Sequence, residues 1–105
     1  MKLQPEDVGI MSEWWEKRGL ALNWKFLPEL GFGIWENQDL MCGAFLCEMD
    51  LNGGKGGLIS WTIVNPDHMA SALRVVNLLL GEIIAYASTN KFVALMGTTT
   101  SRLLA

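Results

Sequence analysis

Along the first twenty residues apolar positions recur at helical spacing: Val8, Met11 and Trp15 share one side, and Ser12, Glu13, Glu16 and Lys17 fall mostly opposite. Pro5 followed by Glu6 and Asp7 suits a first turn, where proline needs no amide partner and carboxylates meet the positive end of the helix dipole. Arg18-Gly19 supplies a stop, so the pattern predicts a helix over residues 5–18. Residues 20–30 hold no period and contain Pro28, which predicts a loop or a short second helix. Residues 32–35 then read as a short strand and Glu36-Asn37-Gln38-Asp39 as a polar turn. Residues 40–51 form the next strand, with Met41, Phe45 and Met49 on one face and Leu40, Ala44 and Leu46 on the other. Apolar residues on both faces predict a central strand covered from both sides.

Asn52-Gly53-Gly54-Lys55-Gly56-Gly57 places four glycines between two strand patterns, which predicts a flexible hairpin turn. It lacks the GxxxxGK[ST] spacing of a phosphate-binding loop and leads into strand-like residues 58–64, not into a helix. That strand alternates Ile59, Trp61 and Ile63 against Ser60, Thr62 and Val64, and stops at Asn65-Pro66. Over residues 68–89 the period becomes helical. Met69, Leu73, Val76, Leu80, Ile83 and Ala87 share a face, and Ser71, Arg74, Asn77, Gly81 and Ser88 form a narrower polar stripe, so most of this helix is expected to be covered. Asn90-Lys91 turns the chain, residues 92–96 read as a buried strand, and Thr98-Thr99-Thr100-Ser101 as the capping start of another helix. The order predicts an α+β domain: an antiparallel three-strand meander plus a strand–helix–strand parallel crossover, with helices on the sheet faces.

Composition narrows the function. With 105 residues, 50% hydrophobic and 18% charged, the chain is expected to fold as a single domain. Its net charge is −3, and Glu29, Glu36, Asp39, Glu48 and Asp50 are the only charges between residues 26 and 54. With no basic run to hold a phosphate backbone, nucleic-acid binding is not expected. Cys42 and Cys47, five apart on a strand, point to opposite faces and read as two buried thiols; with His68 the only histidine, no metal site is expected. The first seven residues lack the apolar core of a signal peptide, which predicts a cytoplasmic protein. The apolar residues 75–87, interrupted by Asn77, Gly81 and Glu82, predict a buried helix and no membrane span. Five tryptophans in so short a chain belong to a core or to an interface; Trp14 and Trp15 are adjacent, so one of them, or Trp24, is a candidate interface residue.

This order of elements resembles the GNAT superfamily of N-acetyltransferases, and most of all its small phage-encoded members, here truncated at the C-terminus. The resemblance spans nearly the whole chain, through Leu3-Gln4-Pro5-Glu6-Asp7 opening a helix, Leu27-Pro28-Glu29-Leu30-Gly31 before a strand, and Ile59-Ser60-Trp61-Thr62-Ile63-Val64-Asn65-Pro66 before the long helix. It implies that acetyl-CoA lies in a wedge between the strand at residues 58–64 and that at residues 92–96. It also implies that the backbone of Ile63 and Val64, with Asn65 beside it, meets the pantetheine arm, and that His68, Met69, Ala70, Ser71 and Ala72 cradle the phosphates. The family's (Q/R)xxGx(G/A) loop falls on Asp67-His68-Met69-Ala70-Ser71-Ala72, which departs from it in two ways. Ala70 narrows a position where glycine lets phosphate approach, and the Asp67 carboxylate repels an anion unless it serves as the helix cap. Arg74, two turns into the helix, is either a phosphate ligand or a solvated arginine. His68 is either an acid–base group or a surface residue.

Such an enzyme needs a base for the amine and an acid for the departing thiolate. Glu48, the one carboxylate inside an otherwise apolar strand, is the candidate base, with a strand-end carboxylate facing water as its bland alternative; Tyr86 lies in the wrong element to be the acid. Two readings compete: an acetyl-CoA-dependent N-acetyltransferase acting on an amine, or a catalytically inactive scaffold that binds a protein partner, as a phage component or an inhibitor of a host system. The uncovered apolar strand at residues 92–96 also suggests a homodimer that completes the sheet.

Overall fold

The computed structural model describes residues 2–20, 27–28 and 30–97. The expected second helix or loop within residues 20–30, the helix start at Thr98 and the role of Trp24 fall wholly or mainly outside them. Helix α1 (Pro5–Lys17) opens as its sequence predicts: Gln4 is the N-cap and donates its backbone N–H to Asp7 Oδ2 at 2.8 Å. It ends at Gly19, whose φ of +79° favours a residue without Cβ.

The remaining elements are β1 (Leu30–Glu36), β2 (Asp39–Leu51), β3 (Gly54–Val64), α2 (Ala72–Thr89) and β4 (Phe92–Gly97). They build one sheet in the order β1-β2-β3-β4, in which β1–β2 and β2–β3 are antiparallel and β3–β4 is parallel. This is the predicted meander and crossover. Asn37 and Gln38, both at positive φ, make the tight two-residue turn from β1 to β2. Before α1 the chain runs along β1, with Leu3 N–H donating to Gly31 O at 2.9 Å.

Among the described residues, each face of the sheet carries one helix. On the α2 face, Phe32, Ile34, Cys42, Ala44, Leu46 and Ile59 pack against Val75, Leu79 and Ile83. On the α1 face, Leu40, Phe45 and Ile63 pack against Met11, Trp14 and Trp15. Each such side chain contributes roughly 1.5–3 kcal/mol by leaving water. Trp14 (6% exposed) and Trp15 (4%) are therefore both core residues, which removes the expectation that one of the adjacent pair lies at an interface.

Two bulges overturn the predicted strand faces. On β2, Ile34 pairs with Cys42 and Trp35 with Leu40, so Met41 is an extra residue; Phe45 consequently shares a face with Leu40, not with Met41. On β3, Ser60 pairs with Phe45 and Ile63 with Gly43, leaving Trp61 and Thr62 opposite Ala44 alone. The strand changes phase there: Ile59 faces α2 while Ile63 faces α1, and Trp61 meets Trp15 edge to face at 5.3 Å. Trp61 holds φ at +54°, a conformation that costs a side chain with Cβ roughly 1–2 kcal/mol. Trp61→Gly and Trp61→Val both lose the indole, but only valine keeps the backbone cost. Chemical denaturation is expected to find the valine variant less stable by about 1–2 kcal/mol.

The glycine-rich segment is mostly strand. Only Asn52 and Gly53 (φ +104°) turn, while Gly54, Gly56 and Gly57 lie in β3 because neighbours occupy their Cβ space. A Cβ on Gly57 would stand 2.7 Å from Leu46 Cδ1 and 2.9 Å from Leu95 Cδ2. The long helix also differs. Its buried stripe is Val75, Leu79, Ile83 and Ala87, while Leu73 (79% exposed), Leu78 and Ile84 face outward, so much of it is uncovered. By length and composition the helical stretch Pro66–Thr89 could cross a membrane; in the fold, its buried stripe packs on the sheet.

Candidate functional site

The β3–β4 ladder runs from Lys55↔Phe92 to Ile59↔Gly97, yet β3 continues to Val64. Among the described residues, the outer edge of β3 from Ser60 to Val64 has no strand partner. The bulge at Trp61–Thr62 re-aims its backbone groups locally. Such an edge can pair with a ligand that carries its own amides. Ile63 and Val64 are buried, one on each face, so it is their main chain that the edge presents.

Asn65 anchors the chain where β3 gives way to the next helix. Its N–H donates to Met41 O at 2.8 Å and its Nδ2 to Leu40 O at 2.9 Å, which ties the end of β3 to the start of β2. Its Oδ1 accepts the Asp67 N–H at 2.9 Å and its carbonyl the His68 N–H at 3.0 Å. Asn65 is thus the helix cap that sequence reasoning assigned to Asp67, whose carboxylate is left exposed. A 3₁₀ turn, Pro66–Ser71, precedes α2, with His68 in a non-helical conformation and Ala72 N–H donating to Met69 O. His68, Met69, Ala70 and Ser71 therefore sit on this turn and Ala72 opens α2. With Ile63, Val64 and Asn65 they gather at one end of β3.

The charged groups here were not foreseen as partners. Arg74 grips Glu36 with both arms of its guanidinium, Nη2 to Oε1 at 2.7 Å and Nη1 to Oε2. This hydrogen bond holds the Glu36 carboxyl below the usual carboxylate range and raises Arg74. Any stability the pair adds is present above the ordinary carboxylate pKa and is lost as pH falls through the lowered one. His68 Nε2 stands 3.6 Å from Asp39 Oδ2. Both carboxylates come from the ends of the β1–β2 turn. The sequence marked them only as polar turn residues, because their partners are brought there by the fold.

Glu48 lies elsewhere. It is exposed on β2 opposite Gly57, inside the zipped part of β3, and lines a hollow of about 430 Å³ with Pro28, Leu30, Leu46, Cys47 and Tyr86. The structure groups it with Tyr86, three register positions back from Ser60. A second, mainly apolar hollow of about 670 Å³ lies on the α1 face beside Leu3, Val8, Gly31 and Phe45. Neither hollow is lined by the free edge of β3. Cys42 is buried, with its Sγ 3.5 Å from Val75 O, and burial pushes its thiol up to about 11; Cys47 is half-buried, not fully buried as expected.

The described four-stranded mixed sheet with a helix on each face matches the α+β fold of GNAT-type acetyltransferases. A predicted acetyltransferase from Clostridium acetobutylicum, crystallised with acetyl-CoA, matches at a TM-score of 0.68 over 98% of this chain and 80% of that one, with 13% identity. An aminoglycoside acetyltransferase from an uncultured soil metagenomic sample also reaches 0.68, over the same shares, at 12% identity. A tetramutant protein from Bacillus halodurans gives 0.59 over 96% and 82%, at 14% identity. At these identities the likeness is one of fold. No family model matches the sequence, and no curated protein does.

Proposed function

We propose that this chain is an N-acetyltransferase that moves an acetyl group from acetyl-CoA to an amine. The observation that carries the reading is the free edge of β3, Ser60 to Val64, bulged at Trp61 and running directly into the turn that starts α2. Main-chain groups on such an edge suit the amides of a pantetheine arm, and a re-aimed amide at the bulge suits the charge that develops on a thioester oxygen. In the reaction the amine nitrogen bonds to the thioester carbon and the carbon–sulfur bond breaks. The sulfur leaves as a thiolate and takes a proton, and the nitrogen gives one up, leaving an amide and a free thiol. A general base must come within about 3 Å of the amine, or act through one water. Glu48, three register positions back from the edge, would take the amine's proton only through a chain of intervening water.

The competing reading, an inactive scaffold that binds a protein partner, rests on the altered Asp67–Ala72 loop and on the tryptophan surplus; of the latter, the adjacent Trp14 and Trp15 are core residues. Calorimetric titration with acetyl-CoA is the direct test. Saturable one-to-one binding is expected, followed by acetyl transfer to members of an amine panel. Absence of heat and of any thermal shift at millimolar acetyl-CoA would remove the proposal.

A further inference from the structure

The two ends of the donor site do not match each other. Among the described residues the β3 edge beyond Ile59 has no strand partner, whereas amides of the adjoining turn are already engaged within the chain. Of the amides that the resemblance assigns to the phosphates, that of His68 already donates to Asn65 O at 3.0 Å, and the neighbouring Asp67 N–H donates to Asn65 Oδ1 at 2.9 Å. Ala72 N–H is likewise taken, by Met69 O. The side chains point the same way. Glu36, Asp39 and Asp67 place three carboxylates around this turn; Arg74 is gripped by Glu36, and His68 lies against Asp39. Counting these five groups with His68 neutral, three negative charges meet one positive, a balance of −2 before any ligand arrives. Ala70 adds a methyl group where a phosphate would have to approach the chain closely.

We infer that this chain recognises its acyl donor by the thioester-bearing arm alone, and that the nucleotide diphosphate contributes no affinity. The inference rests on the acetyltransferase reading and specifies the donor class as acyl-pantetheine thioesters, whatever the far end of the arm is attached to. The β3 edge from Ser60 to Val64 is the recognition element. The carboxylates of Glu36, Asp39 and Asp67 oppose the phosphates, by repulsion that salt weakens.

The test compares acetyl-CoA with acetyl-pantetheine, which carries the same arm and thioester but no nucleotide, by calorimetry at low and moderate ionic strength. Acetyl-pantetheine is expected to bind at least as tightly as acetyl-CoA, and added salt is expected to leave acetyl-CoA affinity unchanged or raise it. Glu36→Gln and Asp67→Asn, both at exposed or half-exposed positions, are expected to tighten acetyl-CoA several-fold without altering acetyl-pantetheine. Acetyl-CoA binding ten-fold or more tightly than acetyl-pantetheine, with affinity that falls as salt is added, overturns the inference and leaves the acetyltransferase reading standing. Failure of both thioesters to bind overturns that reading as well.

Discussion

Trp15→Ala is expected to lower the unfolding free energy by about 3–5 kcal/mol, the usual cost of emptying a buried aromatic site. Trp15 is 4% exposed, lies on the α1 face with Met11, Phe45 and Ile63, and braces Trp61 edge-on at an interplanar angle of 84°. The alanine variant leaves a cavity and removes the support of a residue already held in a costly backbone conformation. Yet the indole nitrogen of Trp15 is buried without a hydrogen-bond acceptor among the described residues. An unpaired buried donor costs about 1–3 kcal/mol. Trp15→Phe keeps much of the packing and deletes that donor, so it is expected to cost about 1 kcal/mol or less. Urea denaturation of the two variants separates the contributions. A phenylalanine variant as unstable as the alanine one would show that the N–H is satisfied in solution.

The second large effect concerns the phase of α2. Ile83→Ala is expected to cost about 2–5 kcal/mol, because Ile83 is fully buried beside Leu79 on the α2 face of the sheet. Leu73→Ala, ten residues earlier on the same helix, is expected to change stability by no more than about 0.5 kcal/mol, since that leucine faces outward. The sequence periodicity placed Leu73 and Ile83 on one buried face, so the pair of substitutions distinguishes the two phases. Equal losses from both would mean that the outward face of α2 is covered in solution.

That difference shows where the chain could be read and where it could not. Helix α1, the meander and the crossover helix were legible, because each has a period, a stop signal or both; β4 was legible as a strand but not in its burial, since it lies at the edge of the described sheet with Val93 and Met96 exposed. The phase of α2 was not, because apolar residues outnumber polar ones around most of its circumference and no single stripe stands out. The bulge at Met41 was hidden for a related reason: on a strand apolar on both faces, a one-residue slip leaves the pattern looking unchanged. The bulge at Trp61 was hidden because Ile59, Trp61 and Ile63 alternate regularly with Ser60 and Thr62, as in an unbroken strand. Gly54, Gly56 and Gly57 suggested a turn, since glycine clusters usually do. Their need for open Cβ space comes from Val93, Leu51, Leu46 and Leu95, which reach them through the tertiary fold.

At the site, the grouping of Ile63 to Ala72 followed from the order of elements. The ion pair of Arg74 with Glu36 and the approach of His68 to Asp39 did not, because the first joins residues 38 apart and both depend on how the β1–β2 turn meets α2. Glu48 was singled out for being the one carboxylate in an apolar run, a signal that says nothing about which edge of the sheet it lies near.

The free edge of β3 is the claim on which the functional account depends, and amide hydrogen exchange with and without acetyl-CoA reads it residue by residue. Exchange of the amides between Ser60 and Val64 is expected to slow at least ten-fold on saturation, while β1 and the Glu48–Tyr86 hollow stay as they were. Binding that protects the hollow and leaves Ser60 to Val64 unchanged would contradict it.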